Sequence, residues 1–392
     1  MQQIVLCDIR NVHAQLLPMT YTRTVAGIRL GIGTLSSRWQ DMLPGEYFVQ
    51  PEVDYLAEFF GLVPDGVIDA PDTLVVASNI VADHGLAVAV AALRSGERLI
   101  DKKGSEIARR GRATEGHDVV YEAEYKEIAN LYDIFMFNGE AISDGFRHIT
   151  AGRESMPLSA TNTVIGDPAD IFIEEGAWVE GAFLNTTAGP IYIGKDATVM
   201  EGSMLRGPIA LCEHATVNMG TKIYPGTTIG RFCKVGGELN NVVMHDYSNK
   251  AHDGFLGNAV VGSWCNIGAG VVASNLKNDY TPIRLWNYPE RRFLRTGLQF
   301  CGLIMGDHSK AGINTMFNTA TVLGVGVNIH GSGFPRNFVP SFSEGSTAGY
   351  TDVSMSKFFE TAARMMARRN VELTDAHRRL YMSIRQAAEE FK

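Results

Sequence analysis

The residue types most able to do chemistry lie between positions 238 and 284. His252 carries an imidazole, the side chain whose proton affinity lies nearest neutral pH. It stands in Asn249-Lys250-Ala251-His252, followed by Phe255-Leu256-Gly257, then Asn266-Ile267-Gly268-Ala269-Gly270 and Asn275. An imidazole can take a proton from a nucleophile. Carboxamides such as Asn266 and Asn275 can meet hydroxyl groups, and Lys250, Lys277 and Arg284 can meet phosphate. Each also has a plainer use. A histidine in a Gly/Asn-rich turn is commonly a surface residue, asparagines stack in ladders or hold left-handed turns, and loop cations are commonly solvated.

Such groups need a frame, and the sequence supplies one by repetition. Every sixth residue from Ile193 is aliphatic: Ile193, Val199, Leu205, Leu211, Val217, Ile223, Ile229 and Val235. The fourth residue after each is mostly small, as at Ala197, Ser203, Ala215, Thr221, Thr227 and Cys233. One large and one small inward position every six residues fits a triangular coil of short flat strands, with glycines such as Gly202, Gly220 and Gly236 at its turns. The fold class expected is mainly β, a left-handed parallel β-helix of hexapeptide repeats. An antiparallel barrel would alternate with period two, which this stretch does not. The column is visible earlier at Ile173 and Val179. It resumes in shifted phase at Val261 and Ile267, then at Met305, Ala311, Phe317, Leu323 and Ile329. The shifts predict projecting loops near 240–258 and 275–303, which a rigid coil would hold in place for function. Solenoids have open ends and flat faces, so caps and a homotrimer are expected.

The flanks read differently. Ile4-Val5-Leu6, Leu74-Val75-Val76-Ala77 and Ile134-Phe135-Met136-Phe137 predict buried strands; Gly85–Leu93 and Glu122–Leu131 predict helices, together a small α/β domain. The tail predicts a helix from Met355 with Phe358, Ala362, Met365 and Met366 on one face. A second helix should follow, with Thr374 as its N-cap and Leu380, Ile384, Ala387 and Phe391 buried. Arginines 364, 368, 369, 378, 379 and 385 dominate the polar faces of this tail, as expected of a solvated cap. The domains expected are thus 1–155, 156–335 and 336–392. A net charge of −8, with 45% hydrophobic and 20% charged residues, argues against nucleic acid or a membrane surface as partner. No signal-peptide pattern opens the chain, and no apolar run is long enough for a bilayer. Five cysteines without a C-x-x-C pair fit a reducing cytoplasm.

The motif from Asn249 to Asn275 resembles the acetyltransferase half of the bacterial bifunctional enzyme N-acetylglucosamine-1-phosphate uridyltransferase/glucosamine-1-phosphate acetyltransferase. In that family a K-A-G-H segment supplies the catalytic histidine, an aromatic-L-G follows, and N-I-G-A-G with a later asparagine completes the pocket. The resemblance implies His252 as the base, with Glu238 orienting it. Asn266, Asn275 and Lys250 would then bind the substrate, Phe255 would stack on its sugar, and Gly268 and Ala269 would line the groove for acetyl-CoA. The N-terminal part is similar, more distantly, to sugar nucleotidyltransferases: Leu17-Pro18-Met19-Thr20-Tyr21-Thr22-Arg23 matches the run after their nucleotide loop, with Arg23 as the implied phosphate ligand.

There are departures from both patterns. The glycine-rich loop that would cradle a triphosphate is replaced by Asp8-Ile9-Arg10-Asn11-Val12-His13. Tyr224 and Asn240 stand where that family has a phosphate-binding arginine and a lysine. Histidines 245, 252 and 308 are the candidates for zinc, but they do not reproduce the spacing of the gamma-class carbonic anhydrases, so no metal is expected there.

The function expected is acyl-CoA-dependent N-acetyl transfer to an amino-sugar phosphate or nucleotide sugar. One alternative is sugar-1-phosphate nucleotidyl transfer (uridylyl or thymidylyl), assisted by Mg²⁺, in the N-terminal domain. Another is a non-catalytic trimeric scaffold that binds a sugar nucleotide.

Overall fold

The computed structural model describes residues 1–9, 11–113 and 117–392. The chain forms two compact units, one of Met1–Leu16, Thr20–Ile28 and Gly33–Asn130, the other of Leu17–Met19, Arg29–Ile32 and Leu131–Lys392.

The first unit is built on the strand Gln3–Cys7, which lies parallel to both Glu46–Gln50 and Leu74–Ala77. Ile4, Val5 and Leu6 are fully buried, as a central parallel strand covered on both faces requires. Beyond Leu74–Ala77 the sheet turns antiparallel at Glu106–Arg110 and continues through Arg98–Ile100 to Asp118–Val120. The helix expected after Gly85 is present as His84–Ala91, its first turn capped by the Asp83 carboxylate. The helix expected over Glu122–Leu131 is not. This stretch is extended, and Lys126–Glu127 pairs antiparallel with Ile80–Val81, a tertiary contact overriding the helix propensity of its Glu, Ala and Lys residues.

The second unit is the solenoid. The whole aliphatic column from Ile193 to Val235 and the small column beside it are buried, and the chain winds as a left-handed parallel β-helix. Val199 pairs with Val217 and Val217 with Val235, so one coil is eighteen residues. Strands on all three faces of the stack pair in parallel with the coil above, which rules out the barrel. Each inward Leu, Ile or Val contributes about 1.5–3 kcal/mol of burial. Glycine is needed where coils touch: a Cβ at Gly236 would stand 2.4 Å from the Ala251 carbonyl oxygen.

Of the two projecting loops expected, one exists. Residues 275–303 leave the stack, form the antiparallel hairpin of Arg284–Asn287 with Arg292–Arg295, and return, so that Val261 pairs with Met305. Residues 240–258 do not project. Val235 pairs with Lys250, fifteen residues on, and Leu239 with Leu256, seventeen on. The phase shift here comes from shortened coils, and the strands Glu238–Met244 and Phe255–Val261 each run across two faces without the usual corner between them.

The run Ile134-Phe135-Met136-Phe137, expected as a strand, opens the helix Asp133–Thr150. Four consecutive apolar residues carry no period. The buried set Ile134, Phe135, Asn138, Ala141, Ile142 and Phe146 does, with helical spacing. Asn138 pins this helix to the coils: its Oδ1 accepts from Gly31 N–H at 2.8 Å, and its Nδ2 donates to the Gly226 carbonyl at 2.8 Å and to Thr228 Oγ1 at 3.0 Å.

The tail folds as the helices Met355–Ala367 and Asp375–Ala388, the second capped by Thr374. Phe358, Ala362 and Met366 are buried on the first, with Met365 half-buried; on the second, Leu380, Tyr381, Ile384 and Ala388 are buried, while Ala387 and Phe391 are only half-buried. The first helix lies along one face of the stack, from Lys357, which pairs with Glu344, to Arg369 just past its end, which bonds to Asn249 several coils away. Tyr381 Oη is 2.8 Å from His308 Nε2, and the Phe358 ring meets the His308 imidazole edge-on.

Candidate active site

His252 sits at a corner of the solenoid, exposed, and no group among the described residues hydrogen-bonds its imidazole. The corner is rigid because the coils above and below engage its backbone. Asp253 C=O accepts from Gly270 N–H at 2.9 Å, and Asn218 Nδ2 donates to Ala251 C=O at 2.8 Å.

Past this corner the chain enters the face on which Glu238 and Phe255 are register partners on adjacent coils. Asn275 closes over the same place: its Nδ2 donates to Asn258 Oδ1 at 2.8 Å. A Cβ at Gly257 would lie 2.6 Å from both that nitrogen and the Phe255 ring, so the glycine of the aromatic-Leu-Gly motif is what lets Phe255 and Asn275 meet. His252, Glu238, Phe255 and Asn275 therefore occupy one corner and the face beside it.

The other expected residues lie elsewhere. Asn266 is exposed on a different face, stacked in register on Asn249. Lys250 is turned inward where Val235 stands in the coil below, and is 2% exposed. Its Nζ donates to the carbonyl oxygens of Gly236 and His252, at 2.8 and 3.0 Å. The expectation that Lys250 meets substrate is corrected by this burial. The missing residues of its coil leave a lysine in an aliphatic column, and the ammonium finds backbone oxygens instead. Burial pushes that ammonium down to about 8, opposed by the charges of Asp253 and Glu238.

Gly268 and Ala269 form the corner stacked on that of His252. Their backbone is committed to the solenoid, Gly268 N–H to Ala311 C=O and Ala269 C=O to Asn314 N–H. What they offer a ligand is clearance, next to the exposed side chain of Ile313. Lys277 holds its own loop through the Pro282 carbonyl at 3.3 Å, and Arg284 is exposed on the projecting hairpin.

The zinc candidates do not converge. His245 and His308 are buried, His245 Nε2 accepting from Arg29 N–H and His308 Nε2 contacting Tyr381 Oη. Among the described residues no three His, Cys, Asp or Glu groups could hold a metal.

In the first unit, Arg23 is buried, 8% exposed. Asp8 lies at the carboxyl end of the parallel strands, where ligands of α/β sheets gather. Ser78 Oγ donates to its Oδ1 at 2.5 Å, and burial raises its carboxyl to about 6. Arg10 lies outside the described residues. His13, in the stretch that replaces the glycine-rich loop, is buried against the Tyr55 ring, with its imidazole lowered to about 4 by burial.

One feature carried no motif. At successive corners His214, Phe232, Tyr247, Trp264 and His308 all adopt left-handed backbone and stack in a ladder, with ring centroids 4.5, 5.2, 4.1 and 6.1 Å apart. Its signal was present in the sequence: each precedes a small inward residue, Ala215, Cys233, Ser248, Cys265 or Ser309.

A parallel β-helix with an exposed corner histidine beside an aromatic and an asparagine, joined to an α/β unit with a parallel core, is the class of protein that fold and site define. Residues 4–154 match the family model described as sugar nucleotidyl transferase. Among curated proteins, the uncharacterized acetyltransferase YaiX of Escherichia coli O6:K15:H31 is 26% identical over 135 residues, 34% of this chain and 58% of that protein. The bifunctional protein GlmU of Alkaliphilus metalliredigens is 31% identical over 173 residues, 38% of this chain and 37% of its own. GlmU of Synechococcus elongatus is 23% identical over 225 residues, 52% and 45% of the two chains. The chain thus spans less than two thirds of each relative's length. A solved UDP-N-acetylglucosamine acyltransferase from Arabidopsis shares 13% identity over 60% of this chain and 93% of its own, with a TM-score of 0.23, too low to bear on function. The resemblance read from the motifs is met by these relatives. No helix among the described residues is long and apolar enough to cross a membrane.

Proposed function

We propose that the solenoid is an acetyl-CoA-dependent N-acetyltransferase acting, in the cytoplasm, on an amino-sugar phosphate or nucleotide sugar. The observation that carries this reading is the free, exposed imidazole of His252 on a braced corner that opens onto Phe255 and Asn275. The acceptor nitrogen attacks the thioester carbonyl carbon, the C–S bond breaks, and His252 takes the proton from nitrogen and passes it to the leaving thiolate. Phe255 stacks on the sugar, Asn275 binds it, and Glu238 biases the orientation of the imidazole. Acetyl-CoA runs over the cleared corner of Gly268 and Ala269.

A homotrimer completes the site. The face that carries Glu238 and Phe255 also carries the exposed apolar side chains of Phe183, Met204, Val272 and Met316, interrupted by Lys222 between Met204 and Glu238, and its apolar part is a surface that a subunit contact would cover. Asn266 faces away from Phe255 in its own chain, so it joins the substrate only across a subunit boundary.

The test is acetyl transfer from acetyl-CoA to glucosamine 1-phosphate and related amino sugars. His252→Ala should lower kcat by 10²–10⁴-fold without altering the melting temperature, and Phe255→Ala should act mainly on KM. Equal turnover by parent and His252→Ala rejects the reading. No turnover by either, with sugar nucleotides still bound, favours the scaffold.

A second reading, nucleotidyl transfer in the first unit, is favoured by the match over residues 4–154 and by Asp8 at the strand ends, with Arg23 as phosphate ligand. The donor set does not fit Mg²⁺: Asp8 is held by Ser78, and among the described residues no group of three His, Cys, Asp or Glu side chains that could hold a metal includes it. No step is therefore routed through that ion. Pyrophosphate exchange into a nucleoside triphosphate at enzymic rates would place this reading first.

A further inference from the structure

The arginines of the C-terminal tail converge where a solvated cap has no need of them. Between the end of the helix Met355–Ala367 and the coil face that carries Asn249 and Asn266 lies a groove of about 320 Å³. Arg364, Arg368 and Arg369 line it from the tail, and Lys310, Asn249 and Asn266 from the coils. Its wall is formed by Tyr247 and Trp264, stacked 4.1 Å apart within the corner ladder. Because the ladder covers their faces, these rings present their edges, the electropositive part of an aromatic.

The cations have little to balance them. Arg369 Nη2 donates to Asn249 Oδ1 at 3.1 Å and Lys310 Nζ to His308 C=O at 2.8 Å, both neutral partners. Arg364 meets Glu360 at 3.1 Å on an exposed helix surface, and no carboxylate is among the residues that line the groove. Attraction to the helix C-terminus accounts for basic residues in its last turn, but not for a lysine from a coil facing the same space.

We propose that this groove binds a small phosphorylated metabolite, its phosphate held by Arg364, Arg368 and Arg369 and its hydroxyl groups by the carboxamides of Asn249 and Asn266. Guanidinium forks match phosphate oxygens in pairs, ring edges tolerate an anion, and the volume admits a sugar phosphate or a mononucleotide. The inference stands apart from acyl transfer. It needs neither His252 nor acetyl-CoA, and Asn266 is the one residue common to both.

Calorimetric titration of the full chain at low salt tests it, with pyrophosphate, glucose 1-phosphate and AMP as separate probes. At least one should bind, more weakly as salt rises. Tighter binding of glucose 1-phosphate than of AMP assigns the site to a sugar phosphate, and the reverse order to a nucleotide. Arg368→Gln and Arg369→Gln should each weaken binding about tenfold, and Arg369→Lys should retain most of it. Arg295→Gln, on the projecting hairpin away from the groove, should change nothing. Absence of binding by all three probes overturns the proposal, as does unchanged affinity in Arg368→Gln with circular dichroism matching the parent.

Discussion

The ammonium group of Lys250 donates to the carbonyl oxygen of His252 at 3.0 Å, so a charge inside the coil stack holds the corner from which an exposed imidazole projects. A second bond, 2.8 Å to Gly236 C=O, ties the same ammonium to the coil below. A lysine in an aliphatic column is costly to desolvate, and two carbonyls offset part of that cost.

The Lys250 side chain should leave a mark on stability. Its ammonium lies at about 8 in the folded chain against an ordinary 10.5, so the unfolded chain binds more protons between these values and stability rises with pH across that window. Lys250→Met should remove the rise, which amounts to at most about 3 kcal/mol, and should leave stability near neutral pH equal or higher. Denaturant midpoints at pH 7 and 10.5 for parent and variant check this. A parallel pH dependence in both would mean that the ammonium is not desolvated.

Asp8 predicts the opposite slope. Burial raises its carboxyl from 3.8 to about 6, so its contribution is fully present below 3.8 and is lost as pH rises through 6. Asp8→Asn keeps an acceptor for Ser78 and removes the buried charge. It should melt higher than the parent at pH 8, by the equivalent of at most about 3 kcal/mol, with the difference disappearing in acid. Thermal melts across that range measure it.

Asn138 is fully buried, with donor and acceptor both used. Asn138→Ala would strand the buried Gly31 N–H and remove the bond to Gly226 C=O, at about 1–3 kcal/mol for the stranded donor. The loss should appear in urea midpoints together with faster hydrogen exchange in the helix Asp133–Thr150. A loss below 1 kcal/mol would mean that water replaces the carboxamide.

The solenoid was legible because Ile193 through Val235 repeat a single physical requirement, one inward aliphatic per strand, eight times over. Its irregularities were not. An added loop and a trimmed coil shift the phase of a column alike, so residues 240–258 and 275–303 looked equivalent until the pairing of Val235 with Lys250 and of Val261 with Met305 separated them. Ile134–Phe137 misled for a related reason: a short unbroken apolar run has no period, and only the continuation through Asn138, Ile142 and Phe146 marks a helix.

For the site, spacing located His252, Phe255 and Asn275 but could not show that Asn266 stands on another face, because adjacent faces differ by only a few residues of path. Nor could it show Lys250 inside, since a lysine in the pattern reads as an exposed position. The groove of Arg364, Arg368 and Arg369 joins residues more than a hundred positions apart, as in the bond from Arg369 to Asn249, and no local pattern encodes such a meeting.

The corner ladder has a spectroscopic consequence. Trp264 is 8% exposed and sandwiched between Tyr247 and the imidazole of His308, so its ultraviolet excitation is coupled to rings contributed by the coils on either side. Circular dichroism near 280 nm should therefore carry an asymmetric signal that exists only while those three coils are wound together, giving an optical gauge of this stretch of the solenoid that owes nothing to the backbone.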